Sequence, residues 1–322
     1  MTTSMSAEQT TEHLSGYQNR DWKIVDYHMY EHGRSGLSFR GPAPALVPGE
    51  YATCLGAAQT LGCFCRTPFP EILHQKLNIE FVNFGYGGAG PRFYLRHPEL
   101  LEVVNRGRFA IVQVMSGRSE DNRLFQSNGL EYLVERASGR RLSADEAYRR
   151  LLEQHSLDSI PAPAARVLRM FHAPEELRAV LRETRDNWLA SYQALFAEIT
   201  VPIILLWFSK RSPGLHRGKK LVWWWQRYDN VHAMFGKFPQ LVNSQMMRVI
   251  APEAAHYVEC VSSRGSPQRL IDRFTGEPTT INTSDDRPDF TGVWSYNAYY
   301  PSPEMHEDAA DLLEPVCRKL LS

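Results

Sequence analysis

The sequence predicts an α/β domain built on a parallel sheet with helices on both faces. Three observations predict it. Apolar runs of strand length recur along the chain and end in glycine or serine. Helical stretches with one apolar face separate them. The runs are continuous rather than alternating, which is the pattern of strands buried on both faces.

The elements follow in chain order. Residues 1–20 are polar and read as a disordered lead-in, leaving 21–322 as a single domain. The segment Asp21 to Gly49 is aromatic, then rich in glycine and proline, and reads as an ordered arm. Tyr51 to Leu55 is the first strand, ending at Gly56. Pro68 to Leu77 is a helix, with Phe69, Ile72, Leu73 and Leu77 on one face and proline near its start. Phe81 to Phe84 is the second strand and Pro98 to Val104 a short helix. Phe109 to Met115 is the third strand, Val201 to Phe208 the fourth and His256 to Val261 the fifth. Glu307 to Leu321 closes the chain as a helix. Between the third and fourth strands, residues of about 140–199 form a helical insertion. Its amphipathic face is Leu177, Val180, Leu181, Trp188 and Leu195, the face of a cap.

Size and charge bound the function. The 322 residues suffice for one large domain with a real core. Acids and bases balance at 36 each, so no global field draws the chain to nucleic acid. No apolar run approaches the ~18 residues of a membrane span, and the first twenty residues lack the apolar centre of a secretory signal. The five scattered cysteines fit reduced thiols and a cytoplasmic location. Cys63 and Cys65 are too close for the usual zinc knuckle, and no metal is expected.

In such a sheet, ligands bind beyond the carboxyl ends of the strands. The residues there are Gly56, Ala58, Gln59 and Thr60 after the first strand, and the string from Gly85 to Gly90 after the second. Ser116, Gly117, Arg118 and Ser119 follow the third, and Lys210 and Arg211 the fourth. Arg118, Lys210 and Arg211 read either as an anion clamp or as solvated loop charges. Gly88 and Gly90 read either as backbone amides presented to a ligand or as a tight turn. Trp223 to Trp225 with Tyr228 read either as a stacking platform or as a buried face. His28, His32, His216 and His232 have no context that assigns them a role.

Together these pieces resemble the SGNH (GDSL-type) hydrolases. The string Gly56-Ala57-Ala58-Gln59-Thr60-Leu61-Gly62 is similar to that family's opening Gly-Asp-Ser-x-Thr-x-Gly. Phe81-Val-Asn-Phe-Gly85 with Gly88-Ala-Gly90 is similar to its second block. Gly117-Arg118-Ser119 falls on the third block, and Pro303-Glu304-Met305-His306 on the block that carries the catalytic histidine. The resemblance implies a three-layer, flavodoxin-like fold. It also marks what is missing. Ala58 stands where the serine nucleophile belongs, Ser119 at the asparagine and Pro303 at the aspartate.

Without that serine, an acyl-enzyme route needs another hydroxyl or thiol, and Thr60, Cys63 or a serine such as Ser116 are the candidates. Direct transfer of an acyl or sulfo group needs no protein nucleophile. In that case the resemblance implies His306 as base, oriented by Glu304 or Asp308. Gln59, Gly88 and Gly90 would stabilise developing charge, and Arg118 and Lys210 would hold the donor. The expected donor is an acyl-CoA or an adenosine phosphosulfate, and the acceptor a carbohydrate or similar small molecule. The rival expectations are an esterase with a relocated nucleophile and a non-catalytic ligand-binding protein.

Overall fold

The computed structural model describes residues 16–153, 175–214, 230–282 and 292–322. Five strands form a parallel sheet: β1 (Tyr51–Gly56), β2 (Glu80–Gly85), β3 (Ala110–Gln113), β4 (Ile203–Ser209) and β5 (His256–Val261). Their order is β5-β4-β3-β1-β2. Read from β2 this is 2-1-3-4-5, the flavodoxin-like winding, whose direction reverses between β1 and β3. The strands β1 to β4 are buried almost throughout, as their continuous apolar runs require. β5 is the edge strand, and its burial alternates. There Tyr257 and Val261 face outward while Val258 and Cys260 pack inward.

The period of two sends neighbouring residues to opposite layers. On one face, Ala52, Cys54, Ile111, Leu206 and Cys260 pack against α1 (Phe69–Leu77) and the closing helix, Pro303–Leu321. On the other, Leu55, Val82, Val112, Leu205 and Trp207 pack against three further helices. These are α3 (Pro98–Asn105), α5 (Glu175–Glu198) and α6 (Ser244–Ile250), with α2 (Pro91–Leu95) beside them. The result is the expected three-layer fold.

Local signals set the ends of α1. Pro68 and Pro70 fit its start, where an amide is spare anyway, and Asn78 closes it in the left-handed region. The closing helix, here α7, starts at Pro303, four residues before the expected Glu307. Ser302 caps it by accepting from the Met305 amide.

The insertion differs from its expectation. It opens with a three-stranded antiparallel sheet, Phe125–Ser127, Tyr132–Glu135 and Arg141–Ser143, before α4 (Ala144–Glu153). Phe125, Leu133, Tyr148, Leu177, Val180 and Leu181 form its core. The 24 residues of α5 then run about 36 Å, out of that core and into the main one, where Trp188, Tyr192 and Leu195 cover the sheet. Half of the supposed cap is thus a covering helix of the fold. One unbroken apolar stripe does not reveal that its two halves face different partners.

The lead-in is also shorter than 1–20. Gly16–Asp21 is helical, with Gln18 and Asp21 buried. Gln18 spans Val25 and Tyr27 by hydrogen bonds at both ends of its carboxamide. The arm that follows packs Ile24, Val25 and Tyr27 against Ala58, Leu61 and Phe64. His216, Trp223 to Trp225 and Tyr228 lie outside the described residues, as does the middle of the expected insertion. No described helix is long and apolar enough to cross a membrane.

Candidate functional site

The loops after β1, β2 and β3 meet where the sheet reverses direction. The turn after β1 is held by Gln113, whose Oε1 accepts from the Ala57 amide (3.0 Å) and the Thr60 hydroxyl (2.7 Å). Thr60 is fully buried and committed to that bond. Cys63 is fully buried as well, and burial pushes its thiol up to about 12. Neither is placed to attack a substrate.

The glycine string after β2 serves mainly to let other segments close in. A side chain at Gly87 would drive into the Tyr17 ring. Gly88 has φ +76°, and a Cβ there would stand 2.8 Å from Cγ of Glu131. The Gly90 amide donates to the Gly129 carbonyl (2.7 Å), so it is not available to a ligand. The string is therefore the seat on which the inserted sheet docks. Ser119 ties the same seat to the loop after β3, donating from its hydroxyl to the Gly88 carbonyl (3.0 Å). Ser116 accepts from the Arg118 amide (3.2 Å) and caps the short turn through Gly117.

Arg118 is not an anion clamp on the rim. It is buried, with Nη1 on Asp145 (2.7 Å) and Nη2 on Glu131 (2.5 Å). Both arms of the guanidinium are thus taken up by carboxyl groups of the protein itself. Arg211 is excluded by different partners. Its Nη2 donates to the carbonyls of Pro239 and Val242, its Nε to Lys237 and its Nη1 to Ser212. It also stacks 4.9 Å over Trp207. Burial lowers it to about 10. Lys210 faces the same cavity as Arg118 but pairs with no carboxylate there among the described residues, its Nζ donating to Ser266 (2.6 Å) and to the Ala298 carbonyl (2.7 Å). Its ammonium is lowered by burial and by Lys237.

His306 is placed differently from its expected role. It is fully buried, stacked on Phe69 (6.1 Å) and edge-on to Phe208 (5.1 Å). Its Nδ1 accepts from the Phe69 amide (3.2 Å). Burial, with Arg40 adding to it, lowers its pKa to about 3. Glu304 lies over Gly265 instead of facing the imidazole. Asp308 accepts from Ser262 (2.5 Å) and pairs with Arg264. The first turn of α7 sends Met305, not His306, into the cavity.

Three cavities adjoin here, two chambers and a narrow throat that shares walls with both. The first chamber, about 490 Å³, is lined by Lys210, His232, Phe235, Lys237, Tyr299 and Met305 among others. The second, about 420 Å³, is walled by Tyr17, Tyr86, Tyr132, Trp294, Tyr299 and Tyr300, with Arg20 and Arg141. The throat, about 20 Å³, is lined by Ala58, Gln59, Gly88, Ser116, Arg118 and Ser119, together with Glu131 and Gln240. It shares Gln59, Arg118 and Gln240 with the first chamber, Glu131 and Tyr300 with the second, and Tyr299 with both. The chambers have the size of ordinary small-molecule sites.

So the fold gathers six of the sequence-predicted residues in the throat and Lys210 beside it. It leaves out His306, Glu304, Thr60, Gly56, Gly90, Gly117 and Arg211. Glu131, Asp145, Gln240 and most of the tyrosines were not foreseen, since only Tyr86 and Tyr300 stand at a strand end or in a motif. No group of three or more metal-ligating side chains occurs among the described residues.

A model of one protein family, described as Domain of unknown function (DUF6473), matches residues 16–321. No curated protein matches the chain in sequence. Solved structures with a similar arrangement include a GDSL-like lipase from Bacteroides thetaiotaomicron. It is 11% identical, with a TM-score of 0.38, and the alignment covers 84% of this chain and 88% of that one. Another is a catalytic mutant of an acetylxylan esterase from Geobacillus stearothermophilus (12% identical, TM-score 0.35, 86% and 96% covered). A third is a carbohydrate acetylesterase family member from Sinorhizobium meliloti (9% identical, TM-score 0.37, 84% and 99% covered). Likenesses this distant carry no chemistry over to the throat.

Proposed function

From a chain that belongs to the family described as Domain of unknown function (DUF6473), and on the strength of its cavities, we propose a group-transfer enzyme. An acyl or sulfo group passes directly from an anionic activated donor to a hydroxyl of a carbohydrate or similar small molecule. The observation that supports this reading is two chambers that share walls with one narrow throat, lined by Ala58, the residue that the sequence resemblance sets at the nucleophile position. Direct transfer needs two bound substrates and no covalent enzyme intermediate, and positioning supplies most of its acceleration.

The donor fits the first chamber, where Lys210, Lys237 and His232 favour a phosphate or sulfate. The acceptor fits the second, whose aromatic rings suit the apolar face of a sugar. The acceptor oxygen forms the new bond to the acyl carbon or the sulfur. The bond to the carrier breaks, and its electrons leave on the thiolate or phosphate. The hydroxyl proton goes to Glu131, which lines both the throat and the acceptor chamber and takes over the role expected of His306. An acyl-CoA or adenosine phosphosulfate donor belongs to the cytoplasm, in keeping with the reduced cysteines.

The test is incubation with acetyl-CoA or an adenosine phosphosulfate and a panel of sugars, followed by mass spectrometry of products and of the intact protein. Release of carrier matched by modified acceptor, with no protein adduct, supports the reading. A covalent acyl-protein replaces it with the relocated-nucleophile esterase. Stabilisation by a carrier without turnover replaces it with a binding protein.

A further inference from the structure

Resting on these cavities as the site, but not on the transfer step, we propose that Gln59 and Gln240 form a recognition pair for a neutral hydrogen-bond donor, a ligand hydroxyl. Both side chains line the first chamber and the throat. Gln59 is only 3% exposed, and its Oε1 has no hydrogen-bond partner among the described residues. Gln240 is 5% exposed. Its Nε2 donates to the Tyr299 hydroxyl (3.0 Å), while its Oε1 is unpaired among the described residues. A buried carbonyl oxygen without a donor costs more than a made hydrogen bond returns, and folded proteins leave few of them. Gln18, equally buried in the same molecule, has both ends of its carboxamide paired.

Two orphaned acceptors on side chains that line the same cavity call for a donor from the ligand. Charge selects which kind. An anion would meet two carbonyl dipoles beside Glu131 and Asp145, with the one guanidinium of Arg118 already bound to both carboxylates. An ammonium ion would lose its hydration beside Arg118 and Lys210. Size selects further. A space of about 20 Å³ holds a single water, so a hydroxyl fits and a ring does not. The ring or chain that bears the hydroxyl would remain in a chamber.

Two measurements test the pair. The first is the melting temperature of Gln59→Met and Gln240→Met without any ligand. Methionine nearly matches glutamine in volume and has no acceptor to satisfy. Gln59→Met, which breaks no hydrogen bond, should raise Tm by about 2 °C. Gln240→Met gives up its bond to Tyr299 and should gain less. A fall in Tm for Gln59→Met would mean that its carboxamide is already paired, and would overturn the proposal.

The second is ligand-observed NMR of the full chain with propane-1,2-diol, propionate and propylammonium as probes. The diol should bind the wild type and lose at least fivefold in signal with the double variant. Equal or stronger binding of propionate or propylammonium would overturn the proposal, as would no binding of the diol. Diol binding that depends on the pair, in a protein that never transfers a group, would uphold the recognition and refute the reaction.

Discussion

Glu120 follows Ser119 of the throat and is buried completely. Its Oε2 accepts from Arg92 (3.2 Å) and Ser191 (3.0 Å), while Oε1 has no partner among the described residues. Burial raises its pKa from 4.5 to about 7. Arg92 and Ser191 oppose this, and Asp121 adds to it. A carboxyl displaced that far corresponds to roughly 3 kcal/mol. The sign follows from proton binding. Between pH 4.5 and about 7 the folded state holds the proton and the unfolded state does not, so this group's contribution to stability falls as pH rises, then levels off.

Glu120→Gln keeps the shape and one carbonyl acceptor and cannot ionise. Relative to wild type, the variant should be stabilised little at pH 4.5. The gain should grow to roughly 3 kcal/mol at pH 8, or about 4 °C in Tm. Thermal and urea melts of both proteins in parallel across pH 4.5–8.5 isolate the effect, because other titrating groups cancel in the difference. A difference that does not change with pH would refute the reasoning. So would a variant less stable at pH 8, which would show that the ion pair with Arg92 outweighs burial.

Three further outcomes are expected. His306, held neutral with its pKa lowered to about 3, stays unprotonated in the folded state well below the 6.5 of an exposed imidazole, so stability is lost as pH falls from 6.5 toward 3. His306→Phe should remove that slope, on the order of 4 kcal/mol, and unfolding at pH 4 should be slower than in wild type; an unchanged acid limb would contradict the burial assignment. Ala58→Ser should not create a serine hydrolase, because no histidine lines the throat among the described residues; labelling of position 58 by a fluorophosphonate probe would show that a base reaches it. Arg118→Met should cost about 3–5 kcal/mol by leaving two buried carboxylates together; a urea midpoint shift worth under 1 kcal/mol would show that the pair was already solvated.

Much of the frame is visible along the chain. Each strand is a local apolar run, and β5 coincides with its expected residues, His256 to Val261. Because all five strands run parallel, their carboxyl ends necessarily share one edge. This is why Ala58, Gly88, Ser116 and Arg118 could be placed together before any packing was known. The insertion was harder to read. Its strands are three and four residues long, and a pattern of period two needs more length to stand out. Lys210 and Arg211 show the finer limit. They are neighbours in sequence, yet one opens onto a chamber and the other is consumed by backbone carbonyls.

The sequence by itself determined the five parallel strands, the position of the loops that form the site, and the alanine at position 58. These depend on hydrophobic period and on residue identity, both local properties. Tertiary structure alone decided what each polar side chain meets. His306 is turned inward by an amide 237 positions away. Arg118 is bound by carboxylates 13 and 27 positions further on. Gln59 and Gln240 are brought to one throat from opposite halves of the chain. Such partners are fixed by how the layers and the inserted sheet pack, and that packing leaves no periodic trace in the sequence around any one of them.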